Sequence, residues 1–253
     1  MKKISPVAIV GLILTIGCLI LSLSKLDFVQ AVANYAYDAF IRVVNEPAKS
    51  DSIVIVDLDD ASLLKYGQWP WPRHRVGKLT QNILEAGASV VGFDIVFAER
   101  DRTSPAVAER DWKEFVDPSV RVEGISDDKR DFDLLFAEIL KGGKTLLGCT
   151  MVPSENDKAV EEVDPDLDPL FSSRADIVAK SRAGEGSISN SLKQAAGVLL
   201  PIPVLIAASR TAFFNAVPDA DNIVRSNPLI WAYGNHIYPS MALEAVMLYR
   251  KIP

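Results

Sequence analysis

Cysteine and histidine are scarce in this sequence. Its 253 residues include two cysteines, Cys18 and Cys149, and two histidines, His74 and His236. Two cysteines cannot build a disulfide scaffold. The four residues together leave little material for a zinc site. Each cysteine lies in an apolar run, so neither reads as half of a disulfide, and His74, beside two arginines, reads as a surface residue. Positive charge is not in excess either: 27 Lys and Arg stand against 33 Asp and Glu, for a net charge of -6. That sign is wrong for a phosphate-backbone binder, so nucleic acid is not an expected partner. Internal repeats and low-complexity stretches are missing. With 49% hydrophobic and 24% charged residues, the composition is that of a globular chain and excludes disorder of the whole.

One long uncharged run is present, Ile4 to Ser24. As a helix, its 21 residues span about 31 Å, one bilayer core. Lys2 and Lys3 precede it, and positive flanks stay on the cytoplasmic side, so the rest of the chain is expected outside. A cleaved signal peptide would have a shorter apolar region, about 7–15 residues, with a small-residue site close behind. Here the candidate site, Ala31-Val32-Ala33, lies well beyond the run. The expectation is an uncleaved anchor over residues 1–24, with a disulfide-free domain compatible with a bacterial periplasm. Val29, Val32, Ala36, Phe40 and Val43 continue helical spacing past the anchor, which predicts a stalk helix over 25–47. Asp38 and Arg42, four apart, can pair on it. Asn45-Glu46-Pro47 should stop it, because the residue before proline avoids helix. A separate helix packed on the domain is the alternative.

From residue 48 to 253 the pattern is α/β. Apolar runs predict strands near 53–58, 89–96 and 144–150. Between them, Val76, Leu79 and Ile83 predict a helix opened by Pro72 and closed by Gly87. Phe132, Leu135, Phe136 and Ile139 predict a second helix, capped by Asp131 and ended at Gly142-Gly143. Strand–helix alternation implies a three-layer arrangement: a mostly parallel sheet with helices on both faces. Two long connections interrupt it. Residues 97–131 carry ten acidic and seven basic side chains, and 154–176 carry eight and two. Connections this long are functional or mobile, and solvated surface excursions are the plainer reading. Towards the end, Pro203–Arg210 reads as a short helix and 212–218 as a strand. Asn222 suits a positive-φ turn. Residues 223–233 and 236–238 read as a hairpin around Gly234-Asn235. Ser240 can cap a last helix.

Candidate chemistry is concentrated at strand ends. Asp57, Asp59 and Asp60 follow the first strand and Asp94 lies near the end of the second. Ligands of open parallel sheets bind beyond the carboxyl ends of strands, and converging carboxylates there can hold Mg²⁺ or Ca²⁺. The simpler reading makes Asp59 or Asp60 the cap of a short helix and Asp57 a loop acceptor. An Asp-x-Asp here is similar to the start of haloacid-dehalogenase phosphatases, but the residues that should follow are wrong. Trp69-Pro70-Trp71-Pro72-Arg73 is the most unusual string. Its prolines fix the backbone, so the indoles either wall a ligand site or plug the core. Lys141-Gly-Gly-Lys144 is not a phosphate loop, since it closes a helix and lacks the full frame. No motif demands a cofactor, and no nucleophile–base set has supporting context.

The run from Ile53 to Asp101, with its aspartate-rich strand end, WPWPR string and AGA-x-x-x-x-FD turn, resembles a sensory domain family. This family is CHASE, type two (cyclase/histidine-kinase-associated sensory extracellular). Tyr37-Asp38, the Asp219-x-Asp221-x-x-x-Arg225 hairpin, and Tyr238 to Val246 extend the resemblance over roughly residues 28–250. Asn222 stands where the family usually has glycine. The resemblance implies an extracytoplasmic sensor domain behind one membrane helix. It implies a cytoplasmic output, an adenylate or guanylate cyclase or a histidine or Ser/Thr kinase, carried outside these residues or on a partner. A homodimer is implied in the same way. The family supplies no settled ligand roles and no catalytic residues. The expectation is that an unknown small-molecule or protein stimulus binds in a crevice bounded by Asp57, Asp59, Trp69, Trp71, Arg73 and Asp94. Asp38, Arg42, Asp219, Asp221 and Arg225 would serve structure or signalling. The competing expectations are a membrane-tethered metal-dependent hydrolase and a purely structural dimerisation domain.

Overall fold

The computed structural model describes residues 5–23, 27–44, 51–154, 192–234 and 236–252. The chain divides into two compact units, Met1–Asp59 and Asp60–Pro253.

The first unit holds α1 (Pro6–Leu23) and α2 (Asp27–Val44). α1 contains no charged residue. Its 18 residues extend about 27 Å, against a hydrocarbon core of about 30 Å. Among the described residues, no helix is long and apolar enough to cross a membrane. The expected 21-residue span is therefore not borne out, because both its ends, Ile4 and Ser24, lie outside the described residues. α2 is a helix within the stretch where one was expected, and Phe28, Val32, Phe40 and Val43 are all exposed on it. The expected stop at Asn45–Pro47 lies outside the described residues.

The strand expected over 53–58 is absent. These residues form no ladder, and Ile53, Val54 and Ile55 are 77%, 80% and 87% exposed. β-branched apolar residues favour extended backbone, but a buried strand also needs a neighbour to bond and cover it. The run has none among the described residues of its unit.

The second unit opens with a short helix, α3 (Asp60–Tyr66), where the aspartate pair suggested one. α4 (Arg73–Glu85) begins directly after Pro72 and ends before Gly87, as expected. β1 is only Val91–Gly92, shorter than the 89–96 reading. α5 (Pro105–Phe115) and a 3₁₀ turn (Asp127–Lys129) fill the charged connection, which is thus structured in part and not a bare excursion. α6 (Phe132–Lys141) is capped by Asp131, whose side chain accepts from the N–H groups of Asp133 and Leu134. β2 (Thr145–Pro153) follows. The acidic connection lies outside the described residues beyond 154. Then come β3 (Ala195–Leu199), α7 (Pro203–Ile206) and β4 (Arg210–Phe213). The strand read over 212–218 therefore starts and ends earlier. β5 (Ile230–Tyr233) and β6 (His236–Pro239) pair antiparallel, Tyr233 opposite His236. Residues 223–229 are not part of that hairpin. Ser240 caps α8 (Met241–Arg250), accepting from the Leu243 N–H at 3.3 Å.

β2 is the hub of the main sheet. It pairs parallel with β1 and β4 and antiparallel with β3. The main sheet is thus mixed, parallel in two of its three strand pairings, and the hairpin β5–β6 forms a second small sheet. Gly148 sits mid-strand in β2. A Cβ there would lie 2.5 Å from the Phe93 carbonyl oxygen and 2.6 Å from the Phe214 ring, so only glycine lets these chains approach. Phe93, Phe97 and Phe136 pack edge to face with centroids 5.4–5.7 Å apart, a favoured aromatic arrangement. A second cluster joins Cys149, Met151, Phe213, Trp231, Tyr233 and Tyr238. Both cysteines are free, and burial pushes the Cys149 thiol up to about 12.

Candidate functional site

The Trp69–Arg73 string forms a strap over the start of α4. The Trp69–Pro70 peptide bond is cis. Gly67 has φ +92, a conformation that L side chains rarely adopt. That turn aims its carbonyl at Trp71, whose Nε1–H donates to it at 2.7 Å. Trp71 is buried, edge-on to Tyr66 at 5.7 Å and tilted against Trp69 at 6.2 Å. Of the two roles open to the indoles, Trp71 takes the plug.

Arg73 follows, 7% exposed. Its backbone N–H donates to Asp101 Oδ2 at 2.6 Å and its Nη2 to the Glu99 carbonyl at 2.9 Å. Its guanidinium carbon lies 4.5 Å from the Phe97 ring centroid, in cation–π range. Nε faces Asp133 Oδ1 at 3.4 Å. These two atoms are buried and have no hydrogen-bond partner among the described residues. Asp133, 2% exposed, accepts the Asp101 N–H on its other oxygen at 3.0 Å. Asp101 closes the network by accepting from the N–H and hydroxyl of Thr103 at 2.8 and 2.6 Å. Burial lowers the Arg73 pKa, against the attraction of Asp133 and Asp101. Burial likewise raises the Asp133 pKa, more than the Asp101 N–H and Arg73 lower it. Desolvation therefore outweighs pairing on both sides of the ion pair.

The second unit holds four of the six residues expected to bound a crevice: Trp69, Trp71, Arg73 and Asp94. Trp69, Trp71 and Arg73 come together, but the carboxylates at Arg73 are Asp101 and Asp133. Asp94 is exposed in the bend after β1 and takes no part in this network. Asp57 and Asp59 belong to the first unit and are exposed there. Sequence reading missed Asp133 because it stands in the first turn of a helix, where acids commonly face solvent. A signal did exist: Asp133 is three residues before Phe136 and seven before Leu140, both fully buried. The buried stripe of α6 is therefore 133, 136, 137 and 140, rotated from the expected 132, 135, 136 and 139.

Two further charged clusters shape loops. Glu109 of α5 faces Lys113 and Arg130, and accepts the Val122 N–H at 3.1 Å. The hydrogen bond to Lys113 leads the causes that bring its pKa down to about 2. A shallow groove of about 520 Å³ passes over this cluster, but Lys113 and Arg130 already face Glu109. In the hairpin motif, Arg225 donates to Asp219 at 2.9 Å and to both oxygens of Asp221 at 2.8 and 2.7 Å. That clamp brings the Asp221 pKa down to about 2. Asn222 adopts φ 61 between them, as its residue type suggested. Asp38 and Arg42 stand one turn apart on α2. Among the described residues, no three His, Cys, Asp or Glu side chains converge as metal ligands, so the hydrolase reading gains no support from geometry.

What the described residues define is an α/β domain in which the clusters at Arg73, Glu109 and Arg225 tie loops to the fold. A family model of the CHASE2 domain matches residues 10–253. The chain belongs to the CHASE2 family, extracellular sensory domains of signalling receptors. No curated protein and no solved structure shows significant similarity to it.

Proposed function

We propose that this chain is the signal-input part of a membrane-anchored receptor. The uncharged run from Ile4 to Ser24, of which α1 is the described part, is its anchor, α2 its stalk and Asp60–Pro253 its sensory domain outside the cytoplasm of a bacterium. The family match over residues 10–253 carries this reading. The uncharged composition of α1 and the two lysines before it support the orientation. A stimulus, a small molecule or a protein, biases two arrangements of the domain, and the difference passes through α2 to an output. That output is a nucleotide cyclase or a histidine or Ser/Thr kinase carried outside these residues or on a partner, and the receptor works as a homodimer. A stimulus can move such an equilibrium only by its differential affinity for the two arrangements.

Orientation is the first test. In a Cys18→Ser background, Lys129→Cys should react with a membrane-impermeant maleimide on intact cells, and Lys2→Cys only after permeabilisation. The reverse pattern, or both sites reacting only after permeabilisation, overturns the proposal.

A further inference from the structure

The Arg73 network places two carboxylates against one guanidinium inside the domain. Asp133 has the weaker hold: one backbone N–H at 3.0 Å and a guanidinium nitrogen at 3.4 Å. Asp101 is better held, accepting from Arg73 N–H, Thr103 N–H and Thr103 hydroxyl. Asp133 is therefore the carboxylate whose hold on Arg73 a single proton can release. The network ties three segments that are far apart in sequence: the Trp69–Arg73 strap, the 99–104 loop and the start of α6.

We propose that this network is a proton-responsive latch: protonation of Asp133 removes one counter-charge from Arg73 and loosens the strap's hold on the start of α6. The latch deepens the sensor reading by naming acidification as a stimulus, and rests on that reading for its use. Asp133 facing Arg73 holds a proton less tightly than the same buried carboxyl with Arg73 displaced. Acid consequently favours an open arrangement in which Arg73 has moved away and Asp133 stays buried, and each pKa unit between the two shifts their ratio about tenfold. Burial of Asp133 already moves its titration above that of an ordinary aspartate.

The other charged groups around Asp133 are accounted for. From α4, His74 stacks on the Phe132 ring at 4.3 Å. From the loop, Arg102 pairs with Glu99 at 2.6 Å and Arg100 faces Asp131, the cap of α6, at 3.8 Å; Asp131 is itself a like charge that adds to the rise of the Asp133 pKa. From the 3₁₀ turn, Asp127, Asp128 and Lys129 are exposed. α7, which packs on α6, has no ionisable side chain.

The test uses the full chain in phosphatidylcholine vesicles, followed by tryptophan emission between about pH 7.5 and about pH 4, spanning the ordinary His and Asp ranges. The expected result is a reversible transition with a midpoint above the ordinary Asp value of about 3.9. Asp133→Asn should abolish it. Asp101→Asn, which removes a like charge, should lower the midpoint. His74→Gln should leave it in place. Infrared difference spectra of the unmodified chain should show a protonated carboxyl appearing with the same midpoint, a readout independent of how the variants fold. No transition, an unchanged transition in Asp133→Asn, or one abolished by His74→Gln overturns the latch. A transition that leaves disulfide formation between Tyr35→Cys copies unchanged upholds the latch and counts against the sensor reading.

Discussion

At the scale of single residues, Arg73 is the side chain with most at stake. Truncating it leaves two carboxylates in the network without their cation. Breaking a buried pair from one side typically costs about 3–5 kcal/mol. Arg73→Ala should lower unfolding stability by that order in urea titrations of the purified chain. Arg73→Lys should restore little, because an ammonium cannot reach the Glu99 carbonyl and Asp133 together from a planar fork. Asp221 and Glu109 behave differently, since partners lower both pKa values to about 2. A depressed carboxylate contributes stability above its unfolded pKa, and that contribution fades as pH falls through the folded value. The hairpin clamp and the α5 anchor are therefore expected intact at pH 5 and above, weakening from about pH 4 towards about pH 2. Carboxyl NMR titration checks this: Arg225→Gln should return Asp221 to the ordinary range and leave Glu109 where it was. The WPWPR string was visible in the sequence because two prolines and two indoles in five residues are rare. Its partners were not visible, because Asp101 and Asp133 lie 28 and 60 positions from Arg73 and no local pattern records such a meeting.

At the scale of elements, local rules succeeded where the cause was local. Asp131, Ser240, Pro72 and Asn222 each marked a helix end or turn through their own backbone chemistry. Asp131→Ala should remove two accepted N–H bonds at the start of α6, at a cost of about 1 kcal/mol, measured by thermal unfolding. Strands were harder to read. The 53–58 and 144–150 runs look alike in composition, yet only the second has neighbours on its ladder. Burial of β2 comes from β1, β3 and β4, which no property of residues 144–150 foretells. Gly148 makes the same point from the opposite side. Its lack of a side chain is required by Phe93 and Phe214, which pass it. Gly148→Ala should destabilise far more than Gly92→Ala, whose new Cβ would meet only the flexible Met241 side chain, at 3.4 Å and beyond. Denaturant midpoints of the two variants give the comparison.

At the scale of the whole chain, the family could be recognised from motifs, because motifs survive without knowledge of packing. The α/β class was legible too, although the three-layer, mostly parallel picture assumed strands that are short or absent. Since β2 bonds to three strands, its central amides should be the last in Asp60–Pro253 to exchange with deuterium. The amides of Leu146 to Cys149 are expected to report global unfolding, and α3 to exchange through local opening.

Cys149 has one more consequence. A domain displayed outside the cytoplasm meets oxidants, and an unpaired thiol is a point of cross-linking and damage. The thiolate is the reactive form, and a pKa pushed up to about 12 leaves almost none of it at neutral pH. Packed among Met151, Phe213 and Trp231, this sulfur is chemically silent, and the folded domain can age in an oxidising medium without forming covalent aggregates through it.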